Sequence, residues 1–145
     1  MMTKEEYHDM YLIVGAAMDV YNEIGRGLSE YIYQEAMRME LEDKGILAEK
    51  EKVLNLYYKG RKMEKFYVAD FYYNGIIVET KSVSSLCSEH RSQLFNYMRI
   101  SHTHRGLLIN FGEKSLRAER YLYQPDDDDF VLLTQKNYKD YISNL

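Results

Sequence analysis

The sequence predicts an α/β (α+β) fold in which a single domain, residues 1–145, holds a central mixed β-sheet flanked by helices. Three observations favour this class. The chain has 145 residues and a hydrophobic content of 46%, which suits one domain with a buried core. Residues 5–24 place apolar side chains at the spacing of an amphipathic helix. Residues 66–81 hold two runs rich in aromatic and β-branched residues around Asn74-Gly75, a strong β-hairpin signal.

The helices are predicted from breaks, caps and apolar spacing. Gly25-Arg26-Gly27 ends the first helix. Ser29 is placed to cap a second helix that runs to Lys44, where Gly45 supplies a left-handed end. Two more helices are predicted over residues 89–101 and 134–144.

The strands occupy the segments between these helices. Residues 59–62 turn the chain into the strand that carries Asp70, and residues 82–88 form a loop after the hairpin. Residues 126–129 are predicted to form a solvated loop. The strands outside the hairpin are predicted over residues 46–58, 106–111 and 117–123.

The Asn74-Gly75 turn predicts the register of the hairpin, because a type I′ turn needs positive φ at both central residues. The facing pairs are then Tyr73 with Ile76, Tyr72 with Ile77, Phe71 with Val78, and Asp70 with Glu79. Alternation places one set of side chains on a common face: Val68, Asp70, Tyr72, Ile77, Glu79 and Lys81. The other face is predicted to be the core: Tyr67, Ala69, Phe71, Tyr73, Ile76, Val78 and Thr80.

The two facing carboxylates need a cation between them. Carboxylates on opposite residues of a strand pair lie about 5 Å apart at Cβ and repel each other. Lys81 supplies one positive charge two residues further along the same face. A divalent ion would supply more, because Mg²⁺ favours one or two carboxylates together with water and phosphate.

Three motifs resemble one nuclease group. Asp70 followed by Glu79-Thr80-Lys81 resembles the active-site motif of the PD-(D/E)XK nuclease superfamily, with Ala69 where the family name has proline. Gly27 to Tyr33 resembles the signature of the small bacterial GxxExxY proteins. Gln93 and Tyr97 resemble the Q-x-x-x-Y motif of the RecB-like branch. The resemblance extends from the first helix to the strand at residues 107–111.

This resemblance implies a restriction-endonuclease-like core and metal-dependent hydrolysis of phosphodiester bonds. It implies that Asp70 and Glu79 bind Mg²⁺ or Mn²⁺ and that the Thr80 carbonyl adds a ligand. Lys81 would orient the attacking water, and Glu30 would reach the metal directly or through water. DNA is favoured over RNA as the substrate, and both endonuclease and exonuclease activity fit the motifs.

Further residues are candidates for substrate contact. The resemblance implies that Gln93 and Tyr97 contact the substrate or the carboxylates of the site. Tyr33, in the same signature as Glu30, is a further candidate. Tyr72 shares the predicted face of Asp70 and could stack on a base. Glu30 itself ends an inward stripe of the second helix, whose other members are Tyr33, Met37 and Leu41.

The charge distribution leaves two interpretations open. The net charge is −4, which argues against an indiscriminate nucleic-acid binder. Residues 50–123, which include the predicted site, carry 13 Lys/Arg against 7 Asp/Glu and are net +6. This basic field could attract phosphate. Alternatively, the cations of residues 50–65 keep an exposed hairpin edge soluble.

Membrane association is not expected, because no apolar run reaches the roughly 18 residues of a membrane span. The charged N-terminus lacks the apolar core of a signal peptide, and the one cysteine, Cys87, favours a reducing cytoplasm. A rival to the enzyme is a non-catalytic module of the same fold that binds nucleic acid or a protein partner. A homodimer is also compatible with the sequence.

Overall fold

A computed structural model of the chain describes residues 1–143 and confirms the predicted fold class. Three helices flank a six-stranded mixed sheet whose strands lie in sequence order. The helices are α1 (Lys4–Ile24), α2 (Glu30–Asp43) and α3 (Ser88–Ile100). The strands are β1 (Glu49–Tyr58), β2 (Arg61–Tyr73), β3 (Ile76–Lys81), β4 (Arg105–Asn110), β5 (Arg117–Gln124) and β6 (Asp129–Leu133). Strands β3 and β4 pair in parallel across the α3 crossover, and the other neighbouring strands pair antiparallel.

The first two helices begin and end close to the predicted positions. Thr3 and Glu6 form a capping box at the start of α1. Gly25 and Gly45, which follow α1 and α2, have φ of 75° and 72°, a conformation that favours glycine. Ser29 occupies the cap position of α2 as predicted, although its side chain makes no capping hydrogen bond there.

Both faces of the sheet are buried, whereas the alternation of the hairpin predicts a core on one face only. Helices α1 and α2 cover one face and pack against Phe71, Ile76 and Val78. Helix α3 covers the other face and packs against Ile77 and Ala69. A strand covered on both sides reads as a nearly continuous apolar run, so alternation alone does not identify a single core face.

The predicted assignment of side chains to the two faces of the sheet is also wrong for residues 67–69, which precede Asp70 in β2. Ala69 packs with the α3 cluster and Phe71 with the α1–α2 cluster, although simple alternation would put both on one face. In β1 the residue between the partners of Ala69 and Phe71 is Glu51, which has φ of 58°. The two strands therefore change faces together at Glu51 and Asp70. Because of this, Tyr67, Ala69 and Val68 lie on the faces opposite to those predicted.

The closing helix predicted over residues 134–144 is wrong for its described part, residues 134–143. That segment contains a turn and a short 3₁₀ helix, Tyr138–Tyr141. The Asn137 side chain accepts a hydrogen bond from the Thr134 amide at 2.7 Å and donates to the Leu132 carbonyl at 2.9 Å. Such local side-chain bonds compete with helix formation. The last predicted helical residue, at position 144, lies outside the described residues.

Within residues 1–143, no helix is both long enough and apolar enough to cross a bilayer.

Candidate active site

The β2–β3 hairpin has the predicted register at its turn. Asn74 and Gly75 have φ of 46° and 83°, as a type I′ turn requires. The backbone pairs are Tyr73 with Ile76, Tyr72 with Ile77 and Phe71 with Val78.

Helix α1 holds this turn in place. The buried Arg105 donates hydrogen bonds to the Asn74 carbonyl and, at 2.7 Å, to the Glu6 carbonyl in α1. The Asn74 amide donates to the Asp9 carboxylate of α1 at 2.8 Å. The contacts with α1 and the conformational preference of Asn74-Gly75 therefore favour the same register.

Beyond the Phe71–Val78 pair, the hydrogen bonds between β2 and β3 involve side chains and no longer join backbone to backbone. Asp70 Oδ2 accepts hydrogen bonds from the Thr80 amide at 2.8 Å and from the Thr80 hydroxyl at 2.9 Å. The Asp70 amide donates to Glu79 Oε2 at 3.3 Å. The N–H and C=O of one strand residue point to the same side, so the Thr80 carbonyl is also directed toward β2. This opening brings the Asp70 and Glu79 carboxyl groups together beside the backbone of Thr80.

Glu79 is only 3% exposed. Burial raises its pKa to about 10, and the charge of Asp70 and a hydrogen bond between the two carboxyl groups act in the same direction. Lys81 opposes the rise. A group in this environment would be stabilised as a carboxylate by a nearby cation, so the donor set suits a hard divalent ion.

Glu30 lies at the start of α2, near the same carboxyl groups. Partial burial raises its pKa, the Asp70 charge adds to the rise, and Lys81 opposes it. Among residues 1–143, no group of three or more His, Cys, Asp or Glu side chains is arranged to hold a metal ion. Glu30 is therefore near enough to Asp70 and Lys81 to interact with their charges, but it does not complete a three-carboxylate cluster.

A hydrogen-bonded chain connects Lys81 to α3. Lys81 Nζ donates to Gln93 Oε1 at 3.1 Å, and Gln93 Nε2 donates to the Tyr97 hydroxyl at 3.1 Å. The rings of Tyr97 and Tyr67 of β2 lie 5.1 Å apart between centroids. The pKa of Tyr97 is raised, first by burial and then by the charge of Glu79. The predicted Gln93–Tyr97 motif thus supports the position of the Lys81 ammonium.

Tyr33 has a different position from the one expected of a substrate contact. It is fully buried, and its ring stacks on Phe111 at 4.4 Å. Its hydroxyl donates to the Gly25 carbonyl at 2.6 Å and accepts from the Leu28 amide at 3.1 Å. The tyrosine holds the α1–α2 loop and has no free surface for substrate, contrary to the sequence-based prediction.

Tyr72 is half-buried beside the α3 cluster. The Lys52 ammonium lies 5.4 Å from the centre of its ring, an ordinary cation–π distance. Lys52 therefore lies over one face of the ring. The predicted stacking role of Tyr72 remains a prediction.

Two polar residues that organise the site were not predicted from the sequence. Gln34, one helical turn after Glu30, donates from Nε2 to the Thr80 hydroxyl at 3.3 Å. The buried Asn110 bonds to the backbone N–H and C=O of Val83, just after Lys81. The sequence features that could have identified them are a glutamine four residues after Glu30 and an asparagine at the end of an apolar strand.

A groove of about 380 Å³ runs between β2 and α3 beside this site. Its lining residues are Tyr67, Ser88, Glu89, Ser92, Gln93, Asn96 and Tyr97. A larger groove of about 580 Å³ lies between α1 and the Tyr138–Tyr141 segment, and none of its lining residues belongs to the predicted site. The smaller groove adjoins the site through Gln93 and Tyr97.

Comparison with known proteins agrees with this geometry. The family model of the PD-(D/E)XK nuclease superfamily matches residues 7–121, which include both carboxyl residues, Lys81 and the Gln93–Tyr97 motif. Neither the curated proteins nor the solved structures contain a significant match to the chain. The family match covers well over half of the sequence, and the chain belongs to the PD-(D/E)XK nuclease superfamily.

Proposed function

We propose that this protein is a metal-dependent phosphodiester hydrolase that acts on nucleic acid, with DNA favoured over RNA. The observation that carries the proposal is the arrangement of Asp70, Glu79 and Lys81 at the open end of the hairpin, next to a groove. Membership of the nuclease superfamily supports the same class of chemistry. The signatures at residues 27–33 and 93–97 support a relationship to the GxxExxY proteins and the RecB-like branch.

Asp70 and Glu79 would hold a Mg²⁺ or Mn²⁺ ion, with the Thr80 carbonyl as a further ligand and Glu30 bound to its water shell. Such an ion supplies a bound water of lowered pKa and polarises the phosphate. Two protein carboxylates are sufficient for Mg²⁺, which keeps several waters and binds substrate phosphate.

Lys81 would act on the reacting phosphate. Its ammonium donates hydrogen bonds to the attacking water or to phosphate oxygens that gain charge in the transition state. Gln93 orients that ammonium through its carbonyl oxygen and is itself held by Tyr97. The adjoining groove between β2 and α3 would receive the nucleotides on one side of the scissile bond.

The finer biological setting is also part of the proposal. Residues 1–145 would work as one nuclease-like domain in a reducing cytoplasm, a setting suggested by the single free cysteine, Cys87. A protein partner or a second copy would supply any specificity that this small domain lacks.

The test is cleavage of labelled single- and double-stranded DNA and RNA by purified protein, with Mg²⁺ or Mn²⁺ and with EDTA. We expect metal-dependent cleavage by wild type and none by an Asp70→Asn/Glu79→Gln variant. Absence of cleavage on every substrate would favour a non-catalytic module of the same fold. Equal cleavage by both proteins would point to a contaminating nuclease.

A further inference from the structure

The outer part of the β1–β2 pair extends beyond the rest of the sheet. Strand β2 spans residues 61–73, but it pairs with β3 only through residues 71–73. Pairing with β1 continues to Tyr58 and Arg61 at the far end. Every residue from 57 to 68 is exposed. These residues, which we call the arm, form a two-stranded ribbon with solvent on both sides.

The arm is basic, and its cations lack acidic partners. It contains four cations, Lys59, Arg61, Lys62 and Lys65, and one carboxylate, Glu64. Within residues 1–143, none of the four forms a salt bridge. By contrast, Lys50 and Lys52 at its base are paired with Glu51 and Glu49. Lysines commonly protect exposed strand edges, and cations without acidic partners can in addition contact an anionic ligand.

Two of the cations lie on the same face as the candidate site. The Tyr67 ring contacts Tyr97 of α3, which fixes the face of that position. Between Asn55 and Tyr57, the pairing of β1 with β2 shifts by two residues. A shift of two residues keeps every second side chain of β2 on the same face of the ribbon. Arg61 and Lys65 therefore share the face of Tyr67, toward the groove that leads to Lys81 and Gln93.

We propose that the arm lies along duplex DNA whose scissile phosphate occupies the Asp70–Glu79 site, an inference that rests on the proposed function. At about 3.3 Å per residue, Lys65 and Arg61 lie about 16 and 30 Å along β2 from Asp70. These distances are long enough for Lys65 and Arg61 to contact phosphates several base pairs from the cut.

The shape of the arm favours B-form DNA over duplex RNA. The major groove of B-DNA admits a two-stranded β-ribbon. The major groove of A-form RNA is too deep and narrow for side chains to read. The exposed Tyr57 and Phe66 give the ribbon apolar as well as charged surface, which suits contact with base edges in the groove.

The experiment measures binding of fluorescein-labelled 24-base-pair duplex DNA by anisotropy in EDTA, over a series of salt concentrations. Wild type is compared with Arg61→Gln/Lys65→Gln. The matched control is Lys136→Gln/Lys139→Gln, which removes the same charge beyond β6, at the opposite edge of the sheet. All replaced side chains are exposed, and equal melting temperatures would show that each variant is folded.

Each lost phosphate contact lowers the slope of log K against log salt by about 0.9. We expect the arm variant to bind more weakly than wild type with a slope smaller by about 1.8, and the control to match wild type. The loss should be smaller for single-stranded DNA and for duplex RNA. An unchanged slope in the arm variant, or an equal loss on duplex RNA, would overturn the inference.

Cleavage assays separate this inference from the proposed function. Arm-dependent binding of duplex DNA without any metal-dependent hydrolysis would support the arm and count against the nuclease. Hydrolysis with the same duplex affinity in wild type and the arm variant would support the proposed nuclease activity and contradict the proposed role of the arm.

Discussion

At the scale of single residues, Asp70 and Glu79 are held together at a cost to the fold. Glu79 is almost fully buried, and its carboxyl faces Asp70, so desolvation and repulsion both disfavour its charged form. A fold optimised for stability alone would place a smaller or apolar side chain here. The arrangement is explained if the pair binds a cation, which makes metal binding the first property to test.

Mg²⁺ or Mn²⁺ should raise the melting temperature of wild type, because an ion that binds only the folded state stabilises it. Asp70→Asn should weaken this response, since it removes one ligand charge. In EDTA the same change should not stabilise the protein, because the raised pKa leaves Glu79 uncharged at neutral pH and Asp70 Oδ2 accepts two hydrogen bonds from Thr80. Thermal melts with and without each ion measure both effects. Identical divalent-ion titrations of wild type and the Asp70→Asn/Glu79→Gln variant would count decisively against the site.

Lys81→Met should reduce single-turnover cleavage by about 100- to 1,000-fold, the effect of losing one transition-state donor, or ~2.7–4 kcal/mol. Methionine keeps a long apolar stem and removes the charge. The rate is measured at saturating enzyme in Mg²⁺ and in Mn²⁺.

Lys139→Met, at an exposed position after β6, is the matched control and should cleave like wild type. Equal rates for wild type and Lys81→Met would remove Lys81 from the mechanism.

At the scale of elements, sequence reasoning succeeded where the determinant is local. Asn74-Gly75 favours a type I′ turn by its own conformational preferences, so the turn and the three pairs next to it were predictable. The change of face at Asp70 could not be predicted in this way, because it depends on the positive φ of Glu51 in the neighbouring strand.

The same contrast applies to the site. Spacing and motif order predicted Asp70, Glu79 and Lys81 as site residues, and the structure brings the three together, although their roles stay predictions. The structural role of Tyr33 depends on carbonyl and amide groups of a loop that only the folded chain brings to its hydroxyl. Gln34 likewise acquires its partner, Thr80, from a strand 46 residues away. Tertiary partners of this kind leave no periodic signal in the sequence.

Two glycine substitutions should have opposite effects on elements of the fold. A Cβ at Gly112 would overlap the Val83 carbonyl oxygen, so Gly112→Ala must displace the loop that follows Lys81. Gly15 lies inside α1, where an added Cβ would meet no other atom within 4 Å. Gly15→Ala should therefore stabilise the protein by about 0.5–1 kcal/mol.

Urea unfolding measures both variants, and we expect a loss of stability for Gly112→Ala. A Gly112→Ala protein as stable as wild type would show that the loop tolerates the displacement.

At the scale of the whole molecule, an ion pair ties the crossover helix to the sheet. Arg91 of α3 donates two hydrogen bonds of 2.8 Å to the buried Glu119 of β5. The Tyr121 hydroxyl donates a third, at 2.7 Å. These bonds secure the helix that carries Gln93 and Tyr97, so the pair contributes to both stability and the position of the site.

This pair should make stability sensitive to acid. The hydrogen bonds from Arg91 lower the pKa of Glu119, and burial opposes them only in part. A carboxyl whose pKa is lower in the folded state stabilises the fold above its unfolded pKa, near about 4.3. That contribution is lost as pH falls through the folded pKa.

Glu119→Gln should therefore cost about 1.5–3 kcal/mol at pH 7, the range for hydrogen bonds to charged groups. The difference between wild type and the variant should shrink below about pH 4. Urea unfolding at pH 7 and pH 3 provides the measurement. A difference that stays constant or grows toward pH 3 would contradict this role of Glu119.

The strand order has a consequence for how quickly the chain can fold. Each strand lies beside its neighbour in sequence, and four of the five pairings are antiparallel. Such pairings close short loops, which lowers contact order and favours fast folding. The β3–β4 pairing must wait for the α3 crossover, so its formation is the expected slow step of refolding. The site residues on β3 and α3 would then come together last, after the β1–β2–β3 and β4–β5–β6 units have formed.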